Sequence, residues 1–460
     1  MKKNLIKKLI TTGLVVSMTM SLAACGGGAA EVPGAAPAEP APAAEEAAPA
    51  AEEAAPAPAA EETADSAASG DVTLEFQQWW GVELPEGALD EICQGFTDET
   101  GIKIETLSNP YADTKTQIAA GAAAGTMADV VGLDGSWVYD FAKQGAIANL
   151  TDLMSSDGYD DSQLSDQIRY EGNTYMIPVV NFAYPLYYNK GILEAAGVSE
   201  VPKTWTEFMD ACQKIVDNTD AAAYCIPLNT EAPNGIQNQF STWVWASGGT
   251  LLSDGKPALT NNDTLTKVTE LFKDMYSKGY LSPGVEAMKE QDMVNEFENG
   301  RLAFMVDGIS HLTTIKQESP DIDFDYAAMP VMDGYTGKSG MDVANWGIGI
   351  AENCEHKEEA MKFIEYLMSP EVNAKLAQLA NAFPGNSTAK PDYSSNDERF
   401  LTAFDIYNSG YAINEFTGAP TAEDLMRSFN EQLILYIDGD TAEAADALAA
   451  VQEAWEAAYN

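Results

Sequence analysis

The chain has 460 residues, with 71 Asp and Glu against 25 Lys and Arg, for a net charge of −46. A surface this acidic argues against nucleic-acid phosphates or anionic lipid heads as partners and reads as a solvated, soluble face. With only two histidines, His311 and His356, and neither an H-E-x-x-H nor a G-x-S-x-G motif, the chain offers no metalloprotease or serine-hydrolase signature.

The first element is a leader. Lys2, Lys3, Lys7 and Lys8 form a positive head, and Leu9 to Ala24 is an uncharged, mostly apolar run of 16 residues. That is the layout of a secretory signal peptide, and the run is short of the ~20 apolar residues a membrane-spanning helix needs. Removing the four lysines of residues 1–24 takes the net charge to −50. From Gly26 to Gly70 the chain is almost entirely Ala, Pro, Glu and Gly, without an aromatic, Lys or Arg. Such a segment cannot bury enough apolar surface to offset the entropy of ordering. Its prolines and repeated E-E pairs keep it extended over on the order of 40 Å or more, as a tether.

Residues 71–460 are long enough for two domains, and alternate strand-like with helix-like patterns. "DVTLEFQQWW" is predicted as a strand ending in a polar-aromatic loop. "ALDEICQGFTDETG" follows as a helix with Leu89, Ile92 and Phe96 on one face and Gly101 as its stop. "IKIETL" is a second strand, "TKTQIAAGAAAGTM" a helix of small residues, "ADVVGLD" a buried strand, and "GSWVYDFAKQGA" the start of another helix. This β-α-β-α-β order is that of a parallel sheet, where ligands bind beyond the carboxyl ends of the strands. Those ends carry Trp79, Trp80, Asn109, Tyr111, Asp134 and Trp137. Thr204 and Glu207 have the spacing of a capping box, Gly197 ends the helix before it, and Tyr187, Tyr188 and Trp205 read as core. Cys93, Cys212, Cys225 and Cys354 have no metal spacing; Cys212 and Cys225 could pair or remain free and buried. Asp157, Asp160 and Asp161 do not fit an EF-hand, and "MDGYTGKSG" has Met332 where a phosphate-binding loop needs its first glycine.

Two stretches resemble known families. Leu22-Ala23-Ala24-Cys25 is similar to the lipobox of bacterial lipoproteins, which implies cleavage before Cys25 and acylation of its thiol. Two or more acyl chains give stable anchoring; the alternatives are an uncleaved membrane anchor or cleavage without lipid. The series G-x-x-Y-x-I-P, L-Y-Y-N-K, L-x-x-A-G-V and P-x-T-W-x-E-F, within residues 172–208, resembles the family 1 extracellular solute-binding proteins. These are the substrate-capturing lipoproteins of ABC importers, related to maltose-binding protein. "FENGRLAFMVDG" and "WGIGIAENCEHKEEAMKFIEYLMSPE" look like later elements of the same family, so the likeness covers essentially residues 71–460.

The resemblance implies an α/β, two-lobed periplasmic-binding-protein-like fold, with a hinge of crossing strands and a ligand cleft between lobes. One lobe is expected at 71–181 plus 345–369 and the other at 182–344 plus 370–460. It implies capture of a carbohydrate, most simply an oligosaccharide, and delivery to an ABC transporter permease at the outer face of the bacterial cell membrane. A monomer held by its lipid is expected, with no catalytic residue, cofactor or metal. Aromatic rings stack on the C–H face of a sugar while Asp, Asn and Gln bind its hydroxyls, and such residues cluster repeatedly in this sequence. From the second lobe Asn181, Tyr184, Asn238, Trp243 and Asp307 join the list, with Asn345, Trp346 and Phe383 at later crossings. Trp80→Ala and Trp346→Ala are expected to weaken binding without unfolding. After Asp307 the family commonly carries an aromatic residue, whereas this chain has Ser310 and His311. A non-sugar solute such as a polyamine suits acidic and aromatic walls; a secreted glycosidase built on paired carboxylates is the remaining alternative.

Overall fold

The computed structural model describes residues 72–459. The leader, Cys25 and the tether lie outside these residues.

Among the described residues fourteen strands occur: β1 Thr73–Gln78, β2 Lys103–Ser108, β3 Val130–Leu133, β4 Ile168–Tyr170, β5 Asn173–Ala183, β6 Leu186–Asn189, β7 Ala222–Tyr224, β8 Leu252–Ser253, β9 Lys256–Pro257, β10 Leu302–Val306, β11 Phe324–Ala327, β12 Gly340–Ile350, β13 Phe383–Pro384 and β14 Tyr411–Ile413. The first sheet runs β13-β5-β12-β3-β1-β2, with β4 attached to β5 and β14 to β12. Its β2-β1-β3 part is parallel, linked by helices Ala88–Thr100 and Tyr111–Ala124, as the sequence pattern predicts. The second sheet runs β11-β6-β10-β7, and β8 and β9 form a separate hairpin. Two sheets with helices packed around each make the mixed α/β, two-lobed architecture.

The chain passes between the sheets at points close together. β5 belongs to the first sheet and β6, two residues later, to the second. β12 returns antiparallel to β5, pairing Val343 with Ala183 and Asn345 with Asn181, and β13 adds Phe383 opposite Asn181. Asn181, Asn345 and Phe383 thus share one rung of the crossing strands.

Local sequence accounts for many element ends. Gly101 and Gly197 close their helices with left-handed backbone, which glycine adopts at no steric cost. Thr204 Oγ1 accepts from the Glu207 N–H, and the Glu207 carboxylate accepts from the Thr204 N–H at 3.3 Å, completing the capping box of helix Trp205–Asn218. Thr204→Ala is expected to lower stability by ~1 kcal/mol, read as an earlier urea midpoint with unchanged slope. Tyr187 and Trp205 are buried as expected, the Tyr187 hydroxyl donating to the Gly308 carbonyl. The four cysteines of the described region are all free and buried, so Cys212 and Cys225 do not pair.

Two features depart from the sequence pattern. The expected loop after β1 is instead a one-turn helix, Trp80–Glu83. The stretch "IQNQFS" at Ile236–Ser241 winds with wide π-type turns before helix Thr242–Ala246. Such turns are rare and concentrate at functional positions; here all six residues are buried, four of them polar.

Candidate functional site

The carboxyl ends of β1, β2 and β3 build one wall. Trp79 follows β1, Tyr111 opens the helix after β2, and Trp137 precedes helix Val138–Lys143. Parallel strands deliver these residues to the same edge, and their rings meet. Ring centroids lie 5.2 Å apart for Trp79–Tyr111, 5.7 Å for Trp79–Trp137 and 5.1 Å for Tyr111–Trp137. Asp134 sits just past β3. Its Oδ1 accepts from the Ser136 N–H and hydroxyl at 2.8 and 2.6 Å, and its Oδ2 accepts from the Tyr111 hydroxyl at 3.2 Å. Asn109 is beside them, its backbone N–H donating to the Gln78 carbonyl.

The facing wall comes from the second sheet, its helices and the strands that cross between the sheets. Asp307 follows β10 and is wholly buried, with His311 Nδ1 2.7 Å from its Oδ2. Glu290 begins helix Glu290–Glu298 and lies against Asp307, while Asn238 in the π-type turn donates to Glu290 Oε1 at 3.2 Å. Tyr184, in the β5–β6 connection, donates its N–H to the Asp342 carbonyl. Asp342, on β12, is wholly buried; one carboxylate oxygen accepts from the Asn414 side chain at 3.1 Å and the other accepts nothing.

The walls touch. Lys115, whose ammonium lies 5.8 Å over the Trp137 ring, pairs with Glu423. The Gly418 N–H donates to the Gly135 carbonyl at 3.0 Å, and a Cβ on Gly135 would fall 2.8 Å from Thr417, so glycine permits the approach. Glu83, on the turn after β1, accepts from the Trp346 indole and feels the charges of His311 and Asp307 across the gap.

Electrostatically the site is crowded with acids. Burial raises the Glu83 carboxyl to about 7 despite the pull of His311. Burial and Asp307 together raise Glu290 to about 8. Burial also raises Asp134, and raises Asp342 further. For His311 burial works downward, but Asp307, Glu290 and Glu83 outweigh it and lift the imidazole to about 10, so it is charged at neutral pH. Groups whose folded values lie above 4.5 hold protons that the unfolded chain has released, so their stabilising contribution is full below pH 4.5 and lost as pH rises through 7–8. The melting temperature is therefore expected to fall between pH 6 and 9. Glu290→Gln is expected to melt roughly 2–4 °C above the parent at pH 8.5, with the gap closing at pH 5.5, by circular dichroism melts. The groups facing Glu290 in this balance are Asp307, His311, Tyr111, Tyr184 and Asp342.

Of the residues singled out from sequence, Trp79, Asn109, Tyr111, Asp134 and Trp137 gather on one wall, and Tyr184, Asn238 and Asp307 on the other. Asn181 and Asn345 line a cavity of about 370 Å³ together with Arg169, Asn414 and Thr417. Three sit in interiors instead. Trp80 is wholly buried, packed edge-on to Phe76 and stacked on Trp346, with the indoles 5.4 Å apart and 8° from parallel. Trp243 lies among Phe208, Tyr224 and Phe272, donating to the Tyr224 hydroxyl at 3.1 Å. Phe383 packs on Tyr407, Phe400 and Phe404. Trp346 is 3% exposed, as are Trp79 and Trp137 of the first wall, and its indole N–H reaches Glu83 at the edge of the site. Sequence reading missed Glu83, Glu290 and Asp342, and took His311 for a departure rather than a participant.

Two lobes with a polar-aromatic meeting place between them define a two-lobed ligand-binding protein. The profile of the bacterial extracellular solute-binding proteins matches residues 81–374, and the chain belongs to that family. A putative binding protein of Brucella abortus is 27% identical over 340 residues, covering 73% of this chain and 81% of its own. A maltooligosaccharide ABC transporter solute-binding lipoprotein of Streptococcus pneumoniae is 21% identical, covering 75% of this chain and 79% of its own. Among solved structures, an ABC transporter solute-binding protein of Thermotoga lettingae bound with α-D-tagatose superposes with a TM-score of 0.71, at 22% identity, covering 85% of this chain and all of its own. The family and its relatives bind substrates for transport; the chain is a binding protein, not an enzyme.

Proposed function

We propose that this protein captures a carbohydrate, most simply an oligosaccharide, between its lobes and hands it to a membrane permease of an ABC importer. The observation carrying this reading is the Trp79–Tyr111–Trp137 cluster beside Asp134, set at the strand ends and opposed by polar groups of the second sheet. Rings offer a face for sugar C–H groups, and the carboxylates and amides around them accept and donate to hydroxyls. The maltooligosaccharide lipoprotein and the tagatose-bound structure support the ligand class.

The lobes are 71–181 plus 345–369 and 182–344 plus 370–460, with the last boundary moved past Asn386. Helix Pro370–Leu379 supports that shift, since Asn373 of this helix donates to the Val179 carbonyl on β5 and accepts from the Asn386 N–H. Ligand contacts from both lobes favour the closed form, a population shift around the crossing strands.

The globule is monomeric and held at the outer face of the cell membrane by lipid on Cys25, which raises its effective concentration near the permease. Cys25→Ala is expected to move the protein from the membrane fraction to the medium and to abolish labelling by radioactive palmitate.

A thermal-shift screen over mono- and oligosaccharides, with spermidine and glycerol phosphate as comparators, tests the main reading. A saccharide is expected to raise the melting temperature and to compact the protein in X-ray scattering. Stabilisation by none of the saccharides, or release of reducing ends from them, overturns it.

A further inference from the structure

The facing walls hold more carboxyl groups than hydroxyl ligands call for. Glu83 and Asp134 on one side meet Glu290, Asp307 and Asp342 on the other, and the bases nearby are already engaged: Lys115 with Glu423, His311 with Asp307. Asp307 and Asp342 have no exposed surface. One oxygen of Asp342 accepts no hydrogen bond, nor does Asp307 Oδ1. A wholly buried carboxylate oxygen without a donor is costly unless something positive or protic comes to it. Glu290 lies against Asp307, and burial together with the Asp307 charge keeps the Glu290 carboxyl protonated at neutral pH.

We propose, building on the carbohydrate reading above, that the ligand is an amine-bearing saccharide whose ammonium enters among Glu290, Asp307 and Asp342 while its ring lies on the Trp79–Tyr111–Trp137 wall. A hydroxyl offers one donor and no charge; an ammonium offers three donors and the charge that these acids lack. The exchange balances: the ammonium enters as R–NH₃⁺, the proton held by the Glu290 carboxyl leaves to solvent, and no bond other than that O–H changes. Binding then releases protons. The groups that set this release are Glu290 itself, Asp307, His311 and Asp342, with Tyr111 and Tyr184 facing Glu290, and Glu83 and Glu298 facing His311 and Asp307.

Isothermal titration of the mature chain against four probes tests this: the β-1,4-linked glucosamine disaccharide, its di-N-acetylated form, maltotriose and spermidine. The glucosamine disaccharide is expected to bind at least about tenfold tighter than its acetylated counterpart. Its affinity is expected to rise about thirtyfold from pH 5.5 to 7.0, with about one proton released per ligand, measured from the buffer dependence of the heat. Glu290→Gln is expected to remove the proton release and most of the preference for the amine, and Asp307→Asn to do the same where it folds. Equal or tighter binding of the acetylated disaccharide or maltotriose, without proton release, overturns the charge inference and leaves sugar capture standing. Binding of spermidine with none of the saccharides overturns the carbohydrate reading and this proposal's saccharide half, while its charge half stands. Absence of binding by all four overturns the proposal.

Discussion

Trp80→Ala is expected to destabilise the protein by ~3–5 kcal/mol, the range for deleting a fully buried large aromatic side chain. The indole contacts Phe76 edge-on and lies flat against Trp346, with no exposed surface, so its removal leaves a cavity that neighbouring strands cannot close. Trp346→Ala opens the same cavity from the other side and also takes the indole donor from Glu83, so an effect of similar size is expected. The two substitutions share one contact, and the double variant is expected to lose less than the sum. Urea unfolding monitored by circular dichroism reads these effects. Unchanged midpoints combined with a large loss of ligand affinity would place both indoles in the cleft, as the bare sequence suggests, and would refute their interior role.

The difference between Trp79 and Trp80 shows where sequence reading stops. Both end the first strand, and composition cannot say which faces the ligand side. The decision is made by the one-turn helix Trp80–Glu83, which turns Trp80 inward and leaves Trp79 to meet Tyr111 and Trp137. A four-residue helix has too little periodicity to be read in advance. By contrast the parallel β2-β1-β3 order, the Gly101 and Gly197 stops and the Thr204–Glu207 box depend on local spacing, and spacing is what a sequence displays.

The acidic half of the site was illegible for another reason. Glu83, Glu290 and Asp342 are separated by up to 259 positions and drawn from 71 acids, so nothing in their neighbourhoods marks them, whereas Asp307 is marked by its place at the end of "FMVDG". They converge because the chain passes between sheets at one place, putting the end of β10, the start of helix Glu290–Glu298 and the start of β12 around the same space. The same argument covers Asn238: the sequence flagged it, but only the π-type turn explains why it reaches Glu290. Trp243, a few residues on, was flagged on equal grounds and faces the opposite way, into Phe208 and Phe272. One turn of helix separates a site residue from a core residue.

Asp134→Ala is expected to weaken binding of whichever saccharide the screen identifies by ~30–100-fold, the scale for losing a buried, charge-assisted hydrogen bond. Asp134 is suited to that role because its two oxygens are held from different directions. Ser136 grips Oδ1 through its N–H and hydroxyl, and Tyr111 reaches Oδ2 at 3.2 Å, a longer and more easily exchanged bond. A sugar hydroxyl can replace or join the tyrosine at Oδ2 without disturbing the turn that fixes the carboxylate. Asp134→Asn keeps the shape but offers one acceptor oxygen where there were two, and is expected to fall between the alanine variant and the parent. Tyr111→Phe removes only the competing donor while keeping the ring against Trp79 and Trp137. It is expected to leave affinity within about fivefold of the parent. Titration calorimetry on variants with native circular dichroism separates these cases. Parent-like affinity for Asp134→Ala would move the sugar away from the β3 end, whereas a drop for Tyr111→Phe as large as for Asp134→Ala would make the tyrosine hydroxyl itself a ligand contact.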